Sequence, residues 1–200
     1  MKIILQNLNK SYGEQQVINS LNATFTSSAP TLLMGENGKG KTTLLRILMQ
    51  LEMADSSVID VSGIESISAV FQENRLCEQV SAVKNLQIAC PNGTDVSLLE
   101  SHLEQVGITA KDMQKPVAML SGGQKRRVAI ARCVATSTSQ TACAIFMDEP
   151  FTNIDAKSKP AIIEYVKKHT KNNLLIITTH SVSEANALGG NIVQIENLQG

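Results

Sequence analysis

The sequence predicts an α/β protein with a mostly parallel sheet buried on both faces and a helical insertion in its middle. Three observations carry that expectation. The runs "ACAIFMDEP" and "NLLIITTH" are apolar without alternation, the pattern of strands covered on both sides. Segments of helical period, "KTTLLRILMQLEM" and "KPAIIEYVKKHT", stand among the strand-like runs, as strand–helix–strand units require. From about residue 76 to about 120, strand pattern gives way to helical pattern.

In chain order, "KIILQNL", "QVINSLNATF" and "TLLMG" read as strands separated by Gly, Asn, Ser and Pro. A helix is predicted from Lys41 to about Leu51, where leucines and isoleucine recur at helical spacing. "SVIDVSG" and "SISAVFQ" follow as strands. "DVSLLESHLEQVGI" starts at a capping-competent Asp95 just after the turn "PNG". In "LSGGQKRRVAIAR", residues 120–132, a helix is predicted from Gln124, with Val128, Ile130 and Ala131 inward and Lys125, Arg126 and Arg127 as a solvated face. The remaining order is strand, helix, strand, strand, ending with "NIVQI". The division is therefore a core of residues 1–75 and 121–200 around an insertion of approximately 76–120, in one 1–200 domain.

Composition excludes several functions. With 42% hydrophobic residues among 200 and 18 basic against 18 acidic side chains, disorder is excluded and no whole-chain field attracts a polyanion. Two Tyr, four Phe and no Trp give no stacking platform for nucleic acid. The apolar run "LLII" is far short of the roughly 20 residues of a membrane span. The start lacks the blocks of a secretory signal, which makes this a cytosolic reading. Cys77, Cys90, Cys133 and Cys143 are scattered, as expected of reduced thiols filling space.

The chemistry is concentrated at a few places. "GENGKGKTT", residues 35–43, fits G-x-x-x-x-G-K-[ST] after a strand and opening a helix. Its backbone, Gly35, Glu36, Asn37, Gly38, Lys39, Gly40, Lys41, Thr42 and Thr43, is suited to wrap a polyphosphate, with Lys41 reaching the β- and γ-phosphates and Thr42 ligating Mg²⁺. "AIFMDEP" ends a strand in two carboxylates, which puts Asp148 near the magnesium shell and Glu149 in place to polarise an attacking water. "LLIITTH" delivers His180 to the same edge, and "SAVFQ" delivers Gln72, whose amide can bind a water or the metal. Ser121 is a good N-cap, and Gly122 and Gly123 clear side chains from the first turn ahead of Gln124. That helix end reads as a second anion-binding surface in a chain that already has one.

Taken in order, "GENGKGKTT", Gln72, "LSGGQKRRVAIAR", "IFMDEP" and His180 resemble the nucleotide-binding ATPase domain of ATP-binding cassette (ABC) transporters over essentially all 200 residues. The resemblance implies a P-loop NTPase core with a small, trimmed antiparallel β part and a helical subdomain. It implies two domains dimerising head to tail, each ATP lying between one chain's P-loop and the other's Ser121 and Gly123. It also implies adenine stacking on Tyr12, a place at the dimer interface for Asp155, and docking beneath separate permease subunits on the inner face of the membrane. "FQENRL" and "DEPFTNID" are similar to importers of the nitrate, sulfonate and taurine type. An exporter subunit and an ABC-type ATPase acting on nucleic acid are the alternatives. The family pattern is departed from at Ser181, where aspartate is common after the histidine, and at Gly189 and Gly190.

Overall fold

The computed structural model describes residues 1–198, which form two sheets. Strands β1 (Lys2–Tyr12), β2 (Gln15–Thr26) and β4 (Ser56–Ser62) make an antiparallel sheet in the order β2-β1-β4. Strands β3 (Thr31–Met34), β5 (Ser66–Val70), β6 (Cys143–Asp148), β7 (Leu174–Thr178) and β8 (Asn191–Gln194) make a parallel sheet in the order β5-β6-β7-β3-β8. The chain order jumps at the centre of that sheet, so the carboxyl ends of β3, β6 and β7 open into one crevice.

Alternation within the parallel strands divides the apolar residues into two cores. Cys143, Ile145 and Met147 of β6 face one layer, with Leu175 and Ile177 of β7. Ala144 and Phe146 face the other, with Leu174, Ile176 and Leu33. Helix α1 (Lys41–Leu48) and the antiparallel sheet cover the second face. The first is covered by α5 (Gly122–Thr138) and α6 (Lys159–His169), and α2 (Ala82–Ala89), α3 (Val96–Gln105) and α4 (Ala110–Met113) share that core. Each fully buried Leu, Ile or Phe contributes roughly 1.5–3 kcal/mol, so burial fastens a layer to each face of the hydrogen-bonded sheet.

The structure corrects several expectations. Helix α1 stops at Leu48, not Leu51, because Gln50 takes a left-handed φ of 58° while its N–H and that of Leu51 bond back to the Ile47 and Arg46 carbonyls. Helix α5, by contrast, starts at Gly122 with Ser121 as its N-cap and both glycines in its first turn, as the cap residue predicts. The order after α6 is strand, helix, strand: α7 (Val182–Leu188), capped by Ser181, intervenes before β8. Strand β8 is an exposed edge, not a strand covered on both faces. Cys77 is exposed, whereas Cys90, Cys133 and Cys143 fill the interior. Among the described residues, no helix is long and apolar enough to cross a membrane.

Candidate functional site

The site is built where β3 gives way to α1. Gly40, the N-cap of α1, has φ 87°, and a Cβ there would stand 3.0 Å from the Val17 carbonyl oxygen. Only glycine meets both conditions. No side chain caps this helix, so its first N–H groups are left for a ligand. Lys41 is buried and doubles back, its Nζ donating to the carbonyls of Gly35 (2.7 Å) and Glu36 (2.8 Å).

Opposite stands the end of β6. Asp148 accepts from Thr42 Oγ1 at 2.8 Å and from Thr178 Oγ1 at 2.5 Å. The Thr42 contact joins the glycine loop to the strand-end carboxylate, residues 106 positions apart. Glu149 has φ 44°, a left-handed conformation for a residue with a side chain. Its N–H bonds to the carbonyl (3.2 Å) and hydroxyl (2.9 Å) of Thr178, and Thr152 Oγ1 donates to its Oε2 at 3.3 Å. His180 Nδ1 lies 3.6 Å from Glu149 Oε1, with most of the imidazole exposed. Behind it, Glu184 accepts from Lys159 Nζ and Thr179 Oγ1, each at 2.7 Å, which ties down the loop that carries His180.

Tyr12, Asn37, Gly38, Gly40, Lys41, Thr42, Thr43, Gln72, Asp148 and Glu149 line one cleft of about 360 Å³. Gly35, Glu36, Lys39 and His180 line a shallower neighbouring cleft with Glu196. Tyr12 is exposed; its hydroxyl donates to Glu52, which raises the phenol pKa and lowers that of the carboxyl. Lys10 Nζ stands 5.1 Å from the same ring.

Ser121, Gly122, Gly123, Gln124 and Asp155 line neither cleft. Ser121 and Gln124 close a capping box: Ser121 Oγ accepts from the Gln124 N–H (3.2 Å), and Gln124 Oε1 accepts from the Ser121 N–H (2.9 Å). Gln124 also donates to Asp112, fastening this helix end to α4. Gly122 faces open space, but a Cβ on Gly123 would stand 3.0 Å from the Asn153 carbonyl oxygen. Tight packing within the chain therefore accounts for one of the two glycines. Asp155 is exposed, and the Ser158 N–H bonded to it holds its carboxyl below the usual range.

The basic run of α5 is not a solvated face. Arg126 is 3% exposed and donates to five backbone carbonyls around the site, Arg127 caps the end of α3 through the carbonyls of Val106 and Gly107, and Lys125 pairs with Glu78 at 2.8 Å. Helical spacing to Ile130, Cys133 and Val134 puts Arg126 on the apolar face of α5, and that was the trace of its burial in the sequence. Thr178, which holds both carboxylate residues, left only the sign of a polar residue ending an apolar strand.

Comparison with known proteins follows this geometry. The ABC transporter family model matches residues 18–152. The chain is 31% identical over 201 residues to the aliphatic sulfonates import ATP-binding protein SsuB of Corynebacterium glutamicum, covering 96% of this chain and 79% of that protein. It is 35% identical over 217 residues to the tungstate uptake system ATP-binding protein TupC of Peptoclostridium acidaminophilum, covering 98% and 95%. The dimeric structure of MJ0796, a bacterial ABC transporter cassette, superposes with a TM-score of 0.83 at 23% identity over 96% of this chain and 93% of that one, a likeness of fold. With a glycine loop hydrogen-bonded to a strand-end carboxylate inside the matched region, the chain belongs to the ABC transporter family.

Proposed function

We propose that this chain is the ATP-hydrolysing subunit of an importer for an oxyanion, with an aliphatic sulfonate the favoured cargo. The observation that carries the enzymatic reading is the convergence of Lys41, Thr42, Gln72, Asp148 and Glu149 on one cleft, joined by the 2.8 Å Thr42–Asp148 hydrogen bond. Support for the cargo comes from the two relatives above, named for import of aliphatic sulfonates and for tungstate uptake, whose cargoes both present a tetrahedral oxyanionic group.

In this reading the triphosphate enters along the N–H groups before α1, and Lys41 exchanges two loop carbonyls for phosphate oxygens. Tyr12 carries the adenine on the face of its ring that Lys10 leaves open. The Thr42 hydroxyl, the Asp148 carboxylate and the Gln72 amide form an all-oxygen donor set, which fits Mg²⁺. Among the described residues no group of three or more His, Cys, Asp or Glu forms a cation cage of its own. That agrees with an ion that takes one or two protein oxygens and completes its shell with water and phosphate. When bound, Mg²⁺ would neutralise charge on the β- and γ-phosphate oxygens. Glu149 orients the attacking water, and His180, 3.6 Å away, fixes the carboxylate and contacts the γ-phosphate.

Ser121, Gly122, Gly123 and Gln124 lie outside the cleft and serve the ATP of a second copy docked head to tail, with Asp155 at the interface. The segment of about 76–120 forms the helical subdomain, and the exposed stretch beyond Gln72 faces permease subunits at the inner face of the membrane.

Glu149→Gln is the test. It should lower ATP turnover at least 100-fold while an ATP-bound dimer accumulates in size-exclusion chromatography. Turnover at the parent rate removes Glu149 from the role of base. Failure to form any dimer removes the head-to-tail arrangement.

A further inference from the structure

We propose that Arg126 is a positioning residue for hydrolysis, a strut that holds the backbones of Gln72 and Glu149 in place and ties both to the glycine-led end of α5. The inference rests on the ATPase reading above and extends it to a residue that touches neither nucleotide nor water.

Every donor of the guanidinium is used, and each bond goes to a backbone carbonyl. Nε donates to Pro150 (2.8 Å), Nη1 to Phe71 (2.5 Å) and Gln72 (3.2 Å), and Nη2 to Asp148 (2.8 Å) and Glu149 (2.7 Å). A planar fork of five N–H groups is the only side chain that can serve five acceptors at once. The carbonyls belong to two segments far apart in sequence, residues 71–72 after β5 and residues 148–150, which run from the last residue of β6 into the loop beyond it. Those segments supply three of the polar groups of the cleft.

Two features make this more than packing. An ordinary buried arginine pairs with a carboxylate, and Asp148 and Glu149 are both close by. Here it takes their carbonyls instead, so the carboxylates are not drawn into an ion pair with it and are held on the cleft side by threonine hydroxyls. Burial disfavours the guanidinium charge while those two carboxylates favour it, so the charge also contributes positive potential beneath them. The second feature is the left-handed backbone of Glu149, at φ 44°. Such a conformation persists only when its surroundings over-determine it. The N–H of Glu149 is held by Thr178 and its carbonyl by Arg126, so the residue is pinned at both ends. Because Arg126 lies one turn beyond Gly122 and Gly123, displacement of the α5 end moves the strut, and with it the carboxylate loop and Gln72 together.

Arg126→Gln leaves several carbonyls without a donor. Arg126→Lys restores a charge and up to three donors but not the planar fork. Misplacement of a reacting group by about 1 Å costs on the order of 10²-fold. The expected result is therefore a kcat lowered 10- to 100-fold in Arg126→Gln and less in Arg126→Lys, a KM for ATP within about threefold of the parent, and an undiminished rise in melting temperature with Mg-ATP. If the Gln variant does not fold, the Lys variant decides by the same kcat against KM comparison. A kcat within twofold of the parent in the folded variants overturns the proposal. So does a loss of the Mg-ATP melting shift in step with kcat, which would mark a residue needed for nucleotide binding and not for positioning the hydrolytic groups. A parent protein that hydrolyses no ATP overturns the ATPase reading and this inference with it, whereas an active parent with fully active variants overturns this inference alone.

Discussion

Helices α1 and α5 both carry glycine at their N-termini, as the N-cap Gly40 and as the first residue Gly122, and they treat those ends in opposite ways. Helix α1 follows Gly40, has no side-chain cap, and keeps its lysine folded onto the carbonyls of its own loop. Helix α5 is closed by a complete capping box, with Gln124 further fastened to Asp112. One end has no side-chain acceptor and its cation stored beside it; the other has the N–H groups of Ser121 and Gln124 satisfied by the capping box. In the proposed reading, the uncapped end of α1, beside Lys41, is the one that takes a ligand within this chain. A capped end with an open Gly122 can still offer N–H groups to a body docking from outside.

The contrast leads to a series of measurements. The largest effect is expected at the uncapped end. Lys41→Ala should lower kcat/KM for ATP by roughly 10²–10³-fold, as for loss of a charged donor to a transferring phosphoryl group, and should remove most of the melting shift, roughly 2.7 kcal/mol for ligand at 100 times its Kd. An unaltered shift would detach Lys41 from the phosphates. Next, Ser121→Arg fills the open space before α5 and should lower turnover about 100-fold while leaving the cleft of its own chain intact. Mixed with Lys41→Ala chains, it should regain activity through one composite site. If such mixtures stay inactive despite proven heterodimers, the α5 end does not serve a partner's nucleotide.

The far end of α5 packs against a buried histidine, and the next effect is one of pH. His102 of α3 is buried against Tyr165 of α6, its Nδ1 2.8 Å from the phenol oxygen, with Thr138 of α5 at 3.5 Å on the other nitrogen and the His169 ring 5.2 Å away. Burial, and then the neighbouring His169, push its pKa down from 6.5 to about 4. Between those values the unfolded chain binds more protons than the native one, so stability rises with pH. His102 then contributes up to about 3 kcal/mol, complete above pH 6.5 and lost as pH falls toward 4. Burial lowers the pKa of His169 as well, in the same sense. Denaturant unfolding at pH 7.5 and 5 should show this slope, and His102→Gln should flatten it; equal slopes would remove His102 as its source. The smallest effect belongs to the cap itself. Ser121→Ala should cost about 1 kcal/mol of stability, and a value near zero would show that the Gln124–Asp112 bond alone holds that end.

Much of this architecture was legible in the residues. The glycine loop, the strand-end carboxylates of Asp148 and Glu149, the caps at Asp95 and Ser121 and the apolar runs of β3, β6 and β7 all depend on neighbours within a few positions. Periodicity and capping are local physics, and a sequence displays them directly. Tertiary structure decided the rest. It closed α1 early through a left-handed Gln50, and it set Gly123 against the Asn153 carbonyl. It also turned Arg126, read as a solvated side chain, into the buried centre of five hydrogen bonds. Those outcomes depend on carbonyls that converge only after β5, β6 and α5 have packed together. A guanidinium carries no mark of whether water or backbone will satisfy it, because that is fixed by segments tens of residues away.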